Sequence, residues 1–284
     1  MSRPAGGLEG KAALVTGGGT GIGEACAVAM AADGAAVTIC GRREEVLAAA
    51  AERIEAAAGC GGSVQHAVAD VTDEESVAAV VARALEPTGR LDACVANAGG
   101  GGGMGPYPVL DTQEFLRVLH LNVLGTMLCV KHAAPQMVAA GGGSFVGMSS
   151  LAGHVPHPYF GAYCVGKAGI EEMMRNCANE FGARKVRFNA IRPGFIATEI
   201  MEGIPRDSAT YASYLENTPM AGVGEPQDVG RLARFLVGDE SNWITGTCIN
   251  IDGGHHLRSG PDFGPFIEPA YGEKVMQGEM PSQA

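Results

Sequence analysis

Val15-Thr16-Gly17-Gly18-Gly19-Thr20-Gly21-Ile22-Gly23 follows a short apolar run, Ala12–Thr16, and opens a helical pattern that continues to Asp33. Glycines at such a junction let backbone N–H groups approach a pyrophosphate that also faces the positive end of the helix. Gly17, Gly21 and Gly23 follow a G-x-x-x-G-x-G spacing, not G-x-G-x-x-G. A tight turn with no ligand could use the same residues. Position at a strand–helix junction near the start of an alternating pattern favours the phosphate reading.

Working outward, short apolar runs alternate with helical patterns, as expected of a parallel sheet with crossover helices. Strands are expected at Ala12–Thr16, Ala36–Cys40, Val64–Ala69, Ala93–Ala96, Ser144–Met148, Arg187–Ile191 and Cys248–Ile251. Helices are expected at Gly21–Asp33, Glu44–Ala58, Asp73–Leu85, Asp111–Ala139, Tyr159–Phe181 and Gln227–Val237. This is an α/β chain with one doubly wound, Rossmann-type parallel sheet of about seven strands and helices on both faces. Residues 1–254 form the expected single catalytic domain and 255–284 a C-terminal tail of weak periodicity, whose Phe263, Phe266, Ile267, Tyr271 and Val275 predict that it packs against its own or a neighbouring subunit. Two segments break the rhythm: the loop Gly99–Pro108 and an irregular insert over 198–224. Ligands of open α/β sheets bind beyond the carboxyl ends of the strands, so both could flank a substrate.

Composition narrows the function. The net charge of −11 disfavours a nucleic-acid partner. No run approaches the roughly 18 apolar residues of a membrane helix, and the N-terminal residues lack a signal peptide's apolar core. Cysteines 26, 40, 60, 94, 129, 164, 177 and 248 are scattered, with no C-x-x-C pair or Cys/His cluster. Reduced thiols, no metal site and a cytoplasmic location are therefore expected.

The second strand ends Ile39-Cys40-Gly41-Arg42-Arg43, with no acid until Glu44. Dinucleotide folds that take NAD usually place a carboxylate there for the ribose 2′-OH. Gly41 offers no side chain, and Arg42 could meet a 2′-phosphate through charge-assisted hydrogen bonds. Both arginines could equally be solvated residues at a helix start. NADP(H) is the preferred reading, with NAD(H) the alternative.

Tyr163 and Lys167 stand four apart in a helical pattern and share a face. Alone such a pair is usually surface decoration. Its chemical appeal is that a nearby ammonium favours tyrosinate and would make Tyr163 a usable acid/base. Asn122 falls in the apolar stripe Phe115, Val118, Leu119, Val123, Met127, Val130, behind an Asp111/Glu114 capping-box pattern. An amide there needs a partner, and backbone carbonyls are the plain one. Ser149-Ser150 closes a strand at the carboxyl edge, without the G-x-S-x-G elbow of a hydrolase. His154 and His157, in the loop that follows, are expected to line a pocket or face solvent.

Thr16-Gly17…Gly21-Ile22-Gly23, Asn97-Ala98-Gly99, Asn122, Ser150, Tyr163-x-x-x-Lys167 and Pro193-Gly194 occur in order, over roughly residues 8–254. Together they resemble the short-chain dehydrogenase/reductase family. The resemblance implies hydride transfer between NADP(H) or NAD(H) and an alcohol/ketone carbon. It implies Tyr163 as proton donor or acceptor, Ser150 holding the substrate oxygen, and Lys167 lowering the Tyr163 pKa and bonding the nicotinamide ribose. Asn122 would hold a water in a relay from Lys167. Gly17, Gly21 and Ile22 would line the phosphates, Asp70 and Val71 the adenine, and Asn97 with its neighbour Gly99 the ribose. Pro193, Gly194, Ile196 and Thr198 would surround the carboxamide.

The resemblance also implies a homo-oligomer, tetramer or dimer, paired through the helices carrying Asn122 and Tyr163. Ala162, Ile170, Met173, Met174 and Cys177 would supply apolar surface for the partner copy. Ile200, Met201, Ile204, Tyr211, Tyr214 and Leu215 suggest an apolar wall for a small-molecule ketone or alcohol. A redox-inactive cofactor-binding scaffold or sensor is the alternative, and intact Ser150, Tyr163 and Lys167 argue against it. The related sugar-nucleotide epimerases need a sizeable substrate domain, for which the tail is too short.

Overall fold

The computed structural model describes residues 7–59 and 61–279, with the backbone alone at 200 and 202. Cys60 and the Ile200 side chain, both singled out above, lie outside the described residues. The strands are β1 (Ala12–Thr16), β2 (Ala36–Gly41), β3 (Ser63–Val68), β4 (Ala93–Ala96), β5 (Gly143–Met148), β6 (Val186–Pro193) and β7 (Cys248–Ile251). They form one sheet of order β3-β2-β1-β4-β5-β6-β7, and every pairing is parallel. The fold is the expected doubly wound, Rossmann-type one. All five residues of β1, AALVT, are buried, because a parallel sheet is covered on both faces.

Alternate residues of the strands feed two cores. Leu14, Cys94, Phe145 and Phe188 pack with helices α3 (Glu74–Leu85), α5 (Gly125–Ala139) and α6 (Gly161–Phe181). Ala13, Val15, Val37 and Ile39 pack with α1 (Gly21–Ala31), α2 (Glu44–Ala58) and α8 (Pro226–Val237). Crossovers run one way from β1 to β3 and the other way from β4 to β7. That reversal opens a crevice between the carboxyl ends of β1 and β4. Thr16 staples its two sides: its hydroxyl accepts from the Asn97 and Ala98 amides at 3.1 and 3.0 Å.

Four local readings change. The single helix expected over 111–139 is α4 (Thr112–Leu119) and α5, joined by one π-turn at His120–Leu124. The capping box is half made. Asp111 accepts from the Glu114 amide at 2.7 Å, but the Glu114 carboxylate turns to Arg117, an ion pair that outcompetes a backbone N–H. Helix α6 starts two residues late because Tyr159 is left-handed, at φ 68°. The tail holds a helix that its weak periodicity did not mark, Gly264–Met276, kinked at Gly272 where φ is 74°. Below, it is α9, and the helix Ala209–Glu216 in the insert is α7.

A third, smaller core sits above the carboxyl edge. Phe195 and Tyr214 meet Phe263 and Ile267 of the tail, with Met104, Tyr211 and Tyr271 around them. The Thr210 hydroxyl donates to the Asp262 carbonyl at 2.9 Å, and the Tyr271 hydroxyl to the Met104 carbonyl at 3.0 Å. The insert, the tail and the glycine-rich loop thus close over the crevice together.

Candidate active site

The glycine turn is shaped for close backbone approach. Gly17 is left-handed at φ 64°, and a Cβ on Gly23 would fall 2.1 Å from the Gly17 carbonyl oxygen. Only glycine lets the first turn of α1 sit so close to the loop. Thr20, at the head of α1, makes no side-chain cap, so the first-turn amides stay open for an anion.

Gly17, Gly21, Ile22, Gly41, Arg42, Asp70, Val71, Asn97 and Gly99 line one continuous cleft of about 410 Å³. Ser150, Tyr163, Lys167, Pro193, Gly194, Ile196 and Thr198 line the same cleft. Each anticipated site residue except Asn122 therefore reaches it. Asn122 lies fully buried in the π-turn, behind Gly100.

The cradle has the shape and charge a dinucleotide needs. At the β2 edge, Glu44 is engaged by His66 at 2.9 Å. Asp70 Oδ1 is held by the Thr72 amide at 2.9 Å and hydroxyl at 2.7 Å. Those two bonds, with the Arg42 charge nearby, keep the Asp70 carboxyl below its ordinary range. Arg42 and Arg43 are exposed on the cleft rim and form no ion pair among the described residues.

At the other end, α6 brings Tyr163 and Lys167 to one face. The Lys167 ammonium sits 5.4 Å from the Tyr163 ring centroid and donates to the Met148 carbonyl at 2.8 Å. Asn122 Nδ2 donates to the Gly100 and Val118 carbonyls, both at 2.8 Å, and Oδ1 accepts from the Gly100 amide at 3.3 Å. A Cβ on Gly99 would lie 2.7 Å from Asn122 Oδ1 and 3.0 Å from Lys167 Nζ. Glycine at 99 is what lets the amide and the ammonium flank the same point. The π-turn aims the amide, and the Thr126 hydroxyl takes up the Asn122 carbonyl at 2.7 Å.

Electrostatics here depart from expectation. Burial lowers Lys167 to about 8. Tyr163 keeps part of its surface in the cleft, yet its phenol lies deep enough for burial to push its pKa up, against a downward pull from the Ser150 hydroxyl. Tyr163 is not held below its ordinary value, because desolvation of the phenol outweighs the Ser150 hydrogen bond.

Two groups went unnoticed in the sequence. Glu171 and Arg192 form a buried pair at 2.5 Å, and Glu171 also accepts from the Ser149 hydroxyl at 2.8 Å. This ties α6 to the strand end that carries Ser150. An i+4 step from Lys167 to Glu171 was the available signal. Phe160 and Phe195 were also missed. Phe160 lies 4.7 Å from Tyr163 and 5.7 Å from Phe263, and Phe195 stacks on Tyr214 at 4.2 Å. No described group of three His, Cys, Asp or Glu side chains could hold a metal ion. No described helix is long and apolar enough to cross a membrane.

A phosphate-shaped turn at the sheet's reversal point, with a serine, tyrosine and lysine at the far end of the cleft, defines a nucleotide-dependent oxidoreductase. A family model described as Enoyl-(Acyl carrier protein) reductase matches residues 17–256. The chain is 35% identical over 245 residues to cis-4-hydroxycyclohexanecarboxylate dehydrogenase of Sinomonas cyclohexanicum, covering 86% of this chain and 96% of that one. It is 35% identical over 256 residues to 7alpha-hydroxysteroid dehydrogenase of Clostridium sardiniense, covering 88% and 95%. The structure of a short-chain type dehydrogenase/reductase from Mycobacterium ulcerans superposes with TM-score 0.94 at 41% identity, covering 96% and 99%. The chain belongs to the short-chain dehydrogenase/reductase family.

Proposed function

We propose that this protein moves a hydride between NADP(H) and the alcohol/ketone carbon of an apolar, ring-bearing small molecule, with Tyr163 as general acid/base. The observation that carries this is the meeting of Ser150, Tyr163 and Lys167 in one cleft, with Asn122 beside Lys167 under Gly99. Gly17, Gly21 and Ile22 would hold the pyrophosphate, and Asp70 and Val71 the adenine. Asn97 and Lys167 would hold the nicotinamide ribose, and Pro193 to Thr198 the carboxamide. Bound there, the nicotinamide supplies or accepts the hydride.

The protein's own residues handle the oxygen. Ser150 and Tyr163 line the same cleft and would share a single substrate oxygen, which suits a carbonyl better than a carbon–carbon double bond. Tyr163 gives its phenolic proton as the alkoxide forms, and Ser150 holds the oxygen in line. Lys167 would return that proton from the buried side, through a water held by Asn122. A cofactor-binding scaffold would gain nothing from an ammonium held at about 8.

The two arginines at the rim, with Glu44 turned to His66, support NADP(H) over NAD(H). Aromatic walls from Phe160, Phe195 and Tyr214 support an apolar ring, and the two curated relatives above are named for ring-bearing hydroxy compounds. Residues 1–254 form one catalytic domain in this reading, and Phe263, Ile267 and Tyr271 of the tail complete the substrate wall. Seven described cysteines are free thiols, which supports a reducing, cytoplasmic location.

The test is steady-state oxidation of NADPH and NADH against a panel of cyclic ketones. The expected result is turnover that favours NADPH, with Arg42→Ala erasing most of that preference. Tyr163→Phe should lose about 10²–10⁴ in kcat while cofactor titration stays near wild type. A Tyr163→Phe variant keeping a tenth of wild-type kcat would remove the tyrosine from this role.

A further inference from the structure

We infer that His157 is a specificity-determining residue whose Nε2 accepts a hydrogen bond from a second hydroxyl of the substrate, distant from the reacting carbon. The inference rests on the hydride-transfer reading and adds a substrate class to it: apolar ring ketones and alcohols that carry a further hydrogen-bond donor.

His157 lies on the loop between β5 and α6, after Ser150 and before Tyr163, and lines the cleft with Phe160, Tyr163 and Tyr214. Its Nδ1 lies 2.8 Å from the Val155 carbonyl oxygen. A carbonyl only accepts, so Nδ1 must carry the ring proton, and Nε2 of the neutral ring is then a bare acceptor. Nε2 has no hydrogen-bond partner among the described residues. Among the described residues no fully buried side-chain nitrogen or oxygen lacks a partner, so Nε2 keeps an open side, and that side is the cleft.

The ring is fixed in this role before any ligand arrives. A Cβ on Gly260 would fall 2.2 Å from the Pro156 carbonyl oxygen and 3.4 Å from His157 Nδ1. The tail backbone is therefore pressed against the loop, and His255 anchors that turn through the Ser259 carbonyl at 3.0 Å. Burial, with His255 nearby, lowers the His157 pKa to about 4, so the imidazole stays neutral through the neutral range.

The other groups facing this end of the cleft are mostly apolar. Phe160, Phe195 and Met201 carry no donor, and Tyr214 stacks its ring on Phe195 and brings a hydroxyl of its own. Ser150 and Tyr163 are the donors for the reacting oxygen. A ketone oxygen has only lone pairs and cannot bond an acceptor. What Nε2 can bond is a donor elsewhere on the substrate. A substrate without one would desolvate Nε2 and leave it unpaired, which a site with buried polar groups penalises.

Matched ketones test this: cyclohexanone, 4-hydroxycyclohexanone and 4-methoxycyclohexanone, and the corresponding decalones with and without a second hydroxyl. The methyl ether keeps the oxygen and removes the donor. The expected result is a kcat/KM about tenfold higher for the hydroxyl compound of at least one ring size than for its deoxy or methoxy counterpart. His157→Phe should bring that ratio close to one, and His157→Gln, with a side-chain carbonyl, should restore part of it. A wild-type ratio within twofold for both ring sizes overturns the inference. So does an ether used as well as the alcohol, or a ratio unchanged in His157→Phe. Turnover without discrimination leaves hydride transfer standing and removes His157 from this role. If no ketone turns over, the hydride-transfer reading falls, and calorimetric binding of the same compounds to the NADP⁺-loaded protein decides whether His157 reads a donor. Equal affinities there overturn it. The wild-type comparison of alcohol with ether needs no variant to fold.

Discussion

Lys167 has only 4% of its surface exposed, and its ammonium is held at about 8 against an ordinary 10.5. A base depressed in the folded state binds fewer protons there than in the unfolded chain between those two values. Stability therefore rises as pH climbs from about 8 to 10.5, and below about 8 the full burial penalty is present. Lys167→Met should accordingly stabilise the fold at pH 7 by a few kcal/mol, since each tenfold loss of proton affinity corresponds to about 1.4 kcal/mol. That gain should shrink toward pH 10.5, while turnover is lost throughout. Chemical denaturation of both proteins across pH checks this, and an unchanged or lowered neutral-pH stability would show that the Met148 carbonyl bond outweighs desolvation. The pairing of Tyr163 with Lys167 was legible from an i, i+4 step. The direction in which the Tyr163 pKa moves was not, because sequence spacing shows which charges are neighbours and says nothing of how deeply a ring is covered.

At the scale of elements, the strands were legible to within two residues because both-face burial writes unbroken apolar runs. The π-turn was hidden, since Asn122 in an apolar stripe looks the same in a regular helix. The tail helix was hidden for another reason: Pro265, Pro269 and the left-handed Gly272 break any repeat that would mark it. Its anchoring aromatic, Phe263, faces Phe160 at 5.7 Å and Tyr214 at 6.1 Å. Phe263→Ala should destabilise the protein by about 3–5 kcal/mol if the cavity does not collapse. It should also raise KM for substrate while cofactor affinity stays near wild type, because the rings it supports face the substrate end. A melt and two titrations check both parts. Cofactor affinity falling as far as substrate affinity would mean that the tail supports the whole cleft.

For the whole molecule, the residues expected to face a partner copy are what changed. Ala162, Ile170, Met174 and Cys177, expected on a partner-facing surface, are buried inside the chain's own core, because that side of α6 packs on the sheet. The apolar residues still exposed on neighbouring helices are Leu116, Met127 and Val165. We propose that they pair two copies, offsetting the repulsion between chains of net charge −11. Leu116→Lys with Val165→Lys should then shift sedimentation at micromolar concentration toward monomer with little change in fold. A wild-type monomer would refute the pairing. The tail's position has one more consequence, in the order of synthesis. Tyr271 closes on Met104, 167 residues earlier in the chain. At the roughly 5–20 residues per second of translation, a nascent chain has its glycine turn, tyrosine and lysine many seconds before α9 leaves the ribosome. Until then the aromatic wall beside Tyr163 is open to water and to other nascent chains, and a segment made much later is the one that covers it.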